Sequence, residues 1–140
     1  MSSFSRQQLM DHLDAKQKNT VWSWCAIDED GKKVYLSIWE DTREKRGQDD
    51  RASYIVQRPN WGIDQNTGNL SAARKDHDEK LSKVFDDGYE AYGYVVVAKD
   101  TEARPREIEK TKTSFIFLLE LKKCPDGTVL GYPIRRLEIR

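Results

Sequence analysis

Asp100, Glu120 and Lys122 have the order used by one class of metal-dependent nuclease. Asp100 ends the run "GYVVVAKD", and "LLELKK" supplies Glu120 and Lys122. Nucleases of the PD-(D/E)xK type place an acid at a strand end and a Glu-x-Lys on the next strand. Two carboxylates then hold magnesium while the lysine helps activate water. Against this reading, Glu-x-Lys recurs by chance in a chain that is 34% charged, and few residues follow Lys122 to complete such a fold. Other catalytic chemistry has less to work with. A Walker-type phosphate loop is missing, which argues against nucleotide hydrolysis. His12 and His77 both fall on charged helical stretches and neither sits at a strand end, so no triad is expected, and neither histidine is expected to hold a metal. Cys25 and Cys124 lack C-x-x-C spacing and are expected as buried thiols. These residues predict a binding domain rather than an enzyme, with no cofactor and no metal.

Aromatic rings offer the other chemistry. The stretch "TVWSWCAIDEDGKKVYLSIWED", residues 20–41, carries three of the four tryptophans. Its Asp30–Gly31 pair lies between two alternating runs, a strong hairpin signal. With those two as turn residues, Glu29 faces Lys32, Asp28 faces Lys33, Ile27 faces Val34, Cys25 faces Leu36 and Ser23 faces Ile38. Side chains alternate along a strand, so the opposite face carries Ala26 with Tyr35, Trp24 with Ser37, and Trp22 with Trp39. One face is aliphatic and the other aromatic. A planar base can be held between aromatic rings, each stack being worth roughly 1–3 kcal/mol, while polar groups read its edge. Trp22, Trp24, Trp39 and Tyr35, with Trp61 from a later loop, are the candidate rings; Ser23, Asp41, Asn60 and Arg58 are candidate polar partners. The competing expectation is that the aromatic face packs beneath a helix at 71–86, joined by Phe85, Tyr92 and Tyr94.

The elements that must position these residues follow from periodicity and punctuation. "FSRQQLMDHLDAK" predicts a helix over 4–15, with Ser5 as cap, Gln8 completing a capping box and Leu9, Met10 and Leu13 as its apolar stripe. After the hairpin, "DTREKRGQDDR" reads as a charged loop, "ASYIVQ" as a strand and "RPNWGIDQNTGN" as a turn-rich loop. Residues 71–86 predict a helix burying Leu81, Val84 and Phe85, with Gly88 just past its end and His77 at the boundary of its buried face. "YEAYGYVVVAKD", "SFIFLLELKKC" and "TVLGYPI" predict three further strands, joined by a charged connection and a "PDG" turn. This order predicts an α+β protein: a curled mixed or antiparallel sheet, or an open barrel, with flanking helices. The length fits one domain spanning 1–140, its β-rich body at 19–134.

Lysine plus arginine and aspartate plus glutamate each number 24, so the net charge is zero. A nonspecific nucleic-acid binder usually carries an overall positive field, so basic surface here must be local: Arg43, Lys45, Arg46, Arg51 and Arg58; Lys99, Arg104 and Arg106; or Arg135, Arg136 and Arg140. No apolar run approaches the roughly 20 residues that span a bilayer, and the polar start "MSSFSRQQ" lacks a secretory signal, so a cytoplasmic setting is expected.

The segments "NTVWSWCAI", "KVYLSIWED" and "GYEAYGYVVVAKD…PREI" resemble small modules at the N-termini of modification-dependent restriction nucleases, some with HNH cutting domains, whose fold is similar to the PUA and EVE group. The resemblance covers residues 19–134 in outline. It implies a module that binds a modified nucleobase in an aromatic pocket, often with the base flipped from its stack, in DNA for the restriction-linked members and RNA for several others. It implicates Trp24 of "WSW" and Trp39 and Asp41 of "IWED"; Cys25 stands where a small residue such as glycine is expected. Separately, Arg58, Lys99, Arg104 and Arg106 are expected to contact phosphates. The expected role is a DNA reader in restriction–modification or phage defence that directs a nuclease, fused or separate. A protein-interaction adaptor is the remaining alternative to the nuclease reading above.

Overall fold

The computed structural model describes residues 13, 25–42, 44–45, 52–64, 66–100, 102 and 108–139, with backbone only at 44–45 and 108–109. Its strands are β1 (Cys25–Asp28), β2 (Lys33–Trp39), β3 (Glu44–Lys45), β4 (Ala52–Gln57), β5 (Glu90–Ala98), β6 (Ile108–Thr111), β7 (Phe115–Lys123) and β8 (Val129–Glu138), and its α-helix among the described residues is α1 (Ala72–Phe85). The strands run in the order β1-β2-β5-β7-β8-β4-β3, with β6 also paired to β5. All pairs are antiparallel except β2 with β5. A parallel pair needs a long crossover, and β3, β4 and α1 all lie within it. The fold is therefore mixed α+β on an open mixed sheet. The expected helix 4–15 lies outside the described residues apart from Leu13.

The hairpin register agrees with the sequence reading: Cys25 pairs with Leu36, Ala26 with Tyr35, Ile27 with Val34 and Asp28 with Lys33. Its turn does not. Instead of two turn residues at Asp30 and Gly31, four residues loop out. The Asp28 Oδ1 accepts the Gly31 N–H at 3.0 Å, and Lys32 takes the left-handed backbone at φ 56°. The Asx-type bond from Asp28 makes a wider turn and removes the expected Glu29–Lys32 cross-strand pair.

Alternation then sorts the sheet into two faces. Val34, Leu36 and Ile38 of β2 join Cys25, Tyr54, Val56, Ala91, Val95, Leu119 and Val129 in one buried cluster, together with Leu81 of α1. That cluster unites β1 and β2 with β4, which stand near opposite ends of the strand order, so the sheet curls around it. Gly93 shows how tight the curl is: a Cβ there would sit 2.8 Å from Leu119 Cδ1 and 2.9 Å from Ile38 Cδ1. The outer face holds a second cluster of Ala26, Tyr35, Tyr92, Tyr94, Val96 and Ile116, against which Leu13, Trp39, Leu118, Leu137 and Ile139 pack. Tyr92 and Tyr94 thus join the aromatic face, as one expectation had it, but the helix does not cover them. It packs on the aliphatic side.

Helix α1 starts where Ser71 Oγ accepts the Arg74 N–H at 3.1 Å, the usual N-cap bond. It ends with Gly88 in left-handed backbone at φ 74°, two residues past the cap Asp86. Leu81 is buried and Val84 partly so, as expected; Phe85, the last residue of the helix, is exposed. Two strands were not anticipated: β3 within the charged segment after Thr42, and β6 within the charged connection after Asp100. The tail "RRLE" is also strand, continuing β8 alongside β7 as far as Glu138.

Candidate functional site

The register settles the distance between the nuclease candidates. Leu119 of β7 pairs with Ala91 of β5, so Glu120 lies level with Glu90, at the start of β5. Asp100 follows the other end of that strand, roughly 30 Å away at ~3.3 Å per residue. Its Oδ1 accepts the Glu102 N–H at 3.0 Å. Carboxylates bridging one metal ion need to lie within a few ångströms of it, and these lie at opposite ends of the sheet. Among the described residues, no cluster of three or more His, Cys, Asp or Glu side chains is placed to hold a metal.

The aromatic candidates divide into two places. Tyr35 is buried on the outer face, its ring stacked on Tyr92 at 5.4 Å and 26°. Trp39 lies four residues further along the same strand and face, partly exposed and packed against that cluster. Because β2 and β5 are parallel with Trp39 level with Val96, exposed Asp41 and exposed Lys99 emerge at the same end of the sheet. Trp39, Asp41 and Lys99 thus lie toward the same end of the sheet, and Tyr35 is on the same strand and face as Trp39. At the opposite end of the outer face, Lys33 Nζ lies 5.7 Å from the Tyr92 ring, and the Tyr92 hydroxyl donates to Glu90 Oε1 at 3.2 Å. Burial first, then the Glu90 carboxylate, push the Tyr92 pKa up, so the hydroxyl stays a donor at neutral pH. Trp22, Ser23, Trp24, Arg104 and Arg106 lie outside the described residues.

Trp61, Asn60 and Arg58 do not join that group. They belong to the loop between β4 and α1, on the helix side of the sheet. The Trp61 ring meets His77 edge-on at 5.3 Å. Arg74 grips the loop, its Nη1 donating to Trp61 O at 2.6 Å and Pro59 O at 3.0 Å while its Nε pairs with Asp78. Gly62 completes the fit: its φ is +73°, and a Cβ there would sit 2.6 Å from Arg74 Cβ.

Beneath α1 lies a polar cluster that sequence reasoning missed. Lys80 Nζ pairs with Asp76 Oδ1 at 2.7 Å, both side chains almost wholly buried. The Cys25 thiol of β1 donates to Asp76 Oδ2 at 3.4 Å. His77 Nδ1 lies 2.6 Å from Gln57 Oε1 of β4; a carbonyl oxygen only accepts, so Nδ1 carries the proton. Gln57 Nε2 in turn donates to Asp78 Oδ1 at 3.1 Å. Burial lowers the His77 pKa to about 4, against the opposing pull of Asp78 and Asp76. Burial, then the Asp76 carboxylate, push the Cys25 thiol up, so Cys25 is no nucleophile. Burial alone would lower the Lys80 pKa, but the Asp76 hydrogen bond and charge outweigh it and raise it. Among the described residues no buried side-chain nitrogen or oxygen is left without a partner, and the cluster works as a clamp between helix and sheet. His77 is therefore buried, not a boundary residue. The signal was available: Ala73, Asp76, His77, Lys80, Leu81 and Val84 form an i, i+3, i+4 stripe, but half of its members are polar.

Among the described residues, exposed large apolar side chains are few and fall on different elements. Leu70 precedes α1, Phe85 ends it and Ile134 lies on β8. No helix is long and apolar enough to cross a membrane among the described residues. No family model, curated protein or solved structure matches this chain.

Proposed function

We propose that this chain is a nucleic-acid reader, of the PUA/EVE-like kind, that holds a modified base against Trp39 and thereby targets a nuclease. One observation carries the reading: the aromatic face lies on the side of the sheet away from α1, and Trp39 stays partly exposed toward the same end as Asp41 and Lys99. A partly exposed indole packed against that cluster is the kind of ring on which a base stacks. Asp41, two residues on, accepts hydrogen bonds from a base edge, and Lys99 reaches a phosphate. Tyr35, buried within the cluster, supports the platform rather than touching the base. Trp22, Ser23 and Trp24 are proposed to complete the pocket and Arg104 and Arg106 the phosphate contacts, on sequence grounds alone. Arg58, Asn60 and Trp61 are left out because they sit on the helix side. The role is binding, without catalysis, in cytoplasmic defence against modified DNA.

A gel-shift panel of otherwise identical duplexes tests this, with cytosine, 5-methylcytosine, 5-hydroxymethylcytosine or N6-methyladenine at one position. One modified duplex is expected to bind at least tenfold more tightly than its unmodified parent, and Trp39→Ala to abolish that preference. Equal weak binding of all duplexes sinks the proposal.

A further inference from the structure

Trp39 and Asp41 belong to the last residues of β2 and the 3-10 turn Glu40–Thr42 that follows. A turn leaving a sheet is free to swing unless something ties it down, and two ties are present. The first is buried. The Thr42 hydroxyl donates to Trp39 O at 2.8 Å and accepts the backbone N–H of Ile55 in β4 at 3.2 Å. That single oxygen closes the turn on itself and fastens it across the gap of the open sheet, since β2 and β4 share no ladder. The second is on the surface, where Lys112, just beyond β6, pairs with the Glu40 carboxylate. The turn is therefore held from the β4 side through Thr42 and from the β6 side through Glu40, with Trp39 and Asp41 between the two anchors.

We propose that Thr42 and Glu40 are positioning residues that set the angle between the Trp39 ring and the Asp41 carboxylate, and so set base discrimination rather than overall affinity for nucleic acid. The inference rests on the reader function. A ring stacks with any base; choice comes only when ring and hydrogen-bonding group are fixed relative to each other. Loosening either anchor leaves the stacking ring and Lys99 in place and blurs the choice. Glu40 gives the sharper case, because Glu40→Gln adds one unit of positive charge. General electrostatics then predicts tighter binding to every duplex, whereas positioning predicts a loss confined to the preferred one.

The test repeats the duplex panel with Thr42→Val, Thr42→Ser and Glu40→Gln. Expected are an approximately tenfold fall in the ratio of preferred to unmodified affinity for Thr42→Val and Glu40→Gln, unchanged or tighter binding of the unmodified duplex by Glu40→Gln, and rescue of the ratio by Thr42→Ser. A purely structural effect of Thr42→Val would lower binding of all duplexes by one common factor. Glu40→Gln, on the partly exposed surface, keeps the test decisive if Thr42→Val fails to fold. Full discrimination in Glu40→Gln overturns the positioning role while leaving the reader function standing. If the unaltered protein shows no preference, the reader function falls and the positioning role falls with it.

Discussion

At the scale of single residues, His77 carries the clearest consequence. It is buried and neutral, with a pKa lowered to about 4, whereas the unfolded chain takes up that proton near ~6.5. Between those values the unfolded state binds more protons, so stability rises with pH. The contribution is fully present above about pH 6.5 and is lost as the pH falls toward 4, up to about 3 kcal/mol. Urea unfolding at pH 7.5, 6 and 4.5 is expected to show that loss, and His77→Asn, whose amide can donate to Gln57 as Nδ1 does, should flatten the profile. A wild-type stability constant across the range would mean the imidazole is not sealed under α1. His77 was present in the sequence as an isolated charged-helix histidine; its burial depends on Gln57 and Trp61 arriving from another segment, which local spacing cannot report.

At the scale of elements, α1 carries a buried ion pair on the face that meets the sheet, and the Cys25 thiol and Gln57 bond to that face from β1 and β4. Asp76, held by Lys80 and the Cys25 thiol, occupies a buried position in the first half of the helix. Removing one charge of a buried pair leaves the other without compensation, at a cost of roughly 3–5 kcal/mol, whereas replacing both with apolar groups of similar size is often neutral or stabilising. Lys80→Met alone is therefore expected to destabilise by that amount. The double variant Asp76→Leu/Lys80→Met should recover most of the loss, both measured by chemical denaturation. Equal destabilisation by single and double variants would contradict the pairing. The limits of α1 were legible from Ser71 and Gly88, because caps are local. Which of its faces is buried was only half legible: Leu81 and Val84 pointed inward correctly, while Phe85 was misplaced and the polar Asp76, His77 and Lys80 gave no apolar signal of burial.

At the scale of the whole molecule, zero net charge limits how a reader can grip nucleic acid. With Lys99, Arg104 and Arg106 as the proposed phosphate contacts, about three counterions are displaced, and log K should fall with log salt at a slope of about −3. Titrations from 50 to 300 mM salt read this directly; a flat line would remove the phosphate contacts, and a slope beyond about −6 would require a basic surface the charge balance does not suggest. The sequence by itself determined the strands that form the hairpin, their register and the separation of an aliphatic from an aromatic face, because alternation and cross-strand charge pairing act over a few residues. Only the tertiary structure decided that α1 covers the aliphatic face, that Trp61 parts company with Trp39, and that Asp100 and Glu120 stand at opposite ends of the sheet. Those outcomes depend on strand order and on polar partners meeting from distant segments, and a period-two pattern fits many such arrangements equally well.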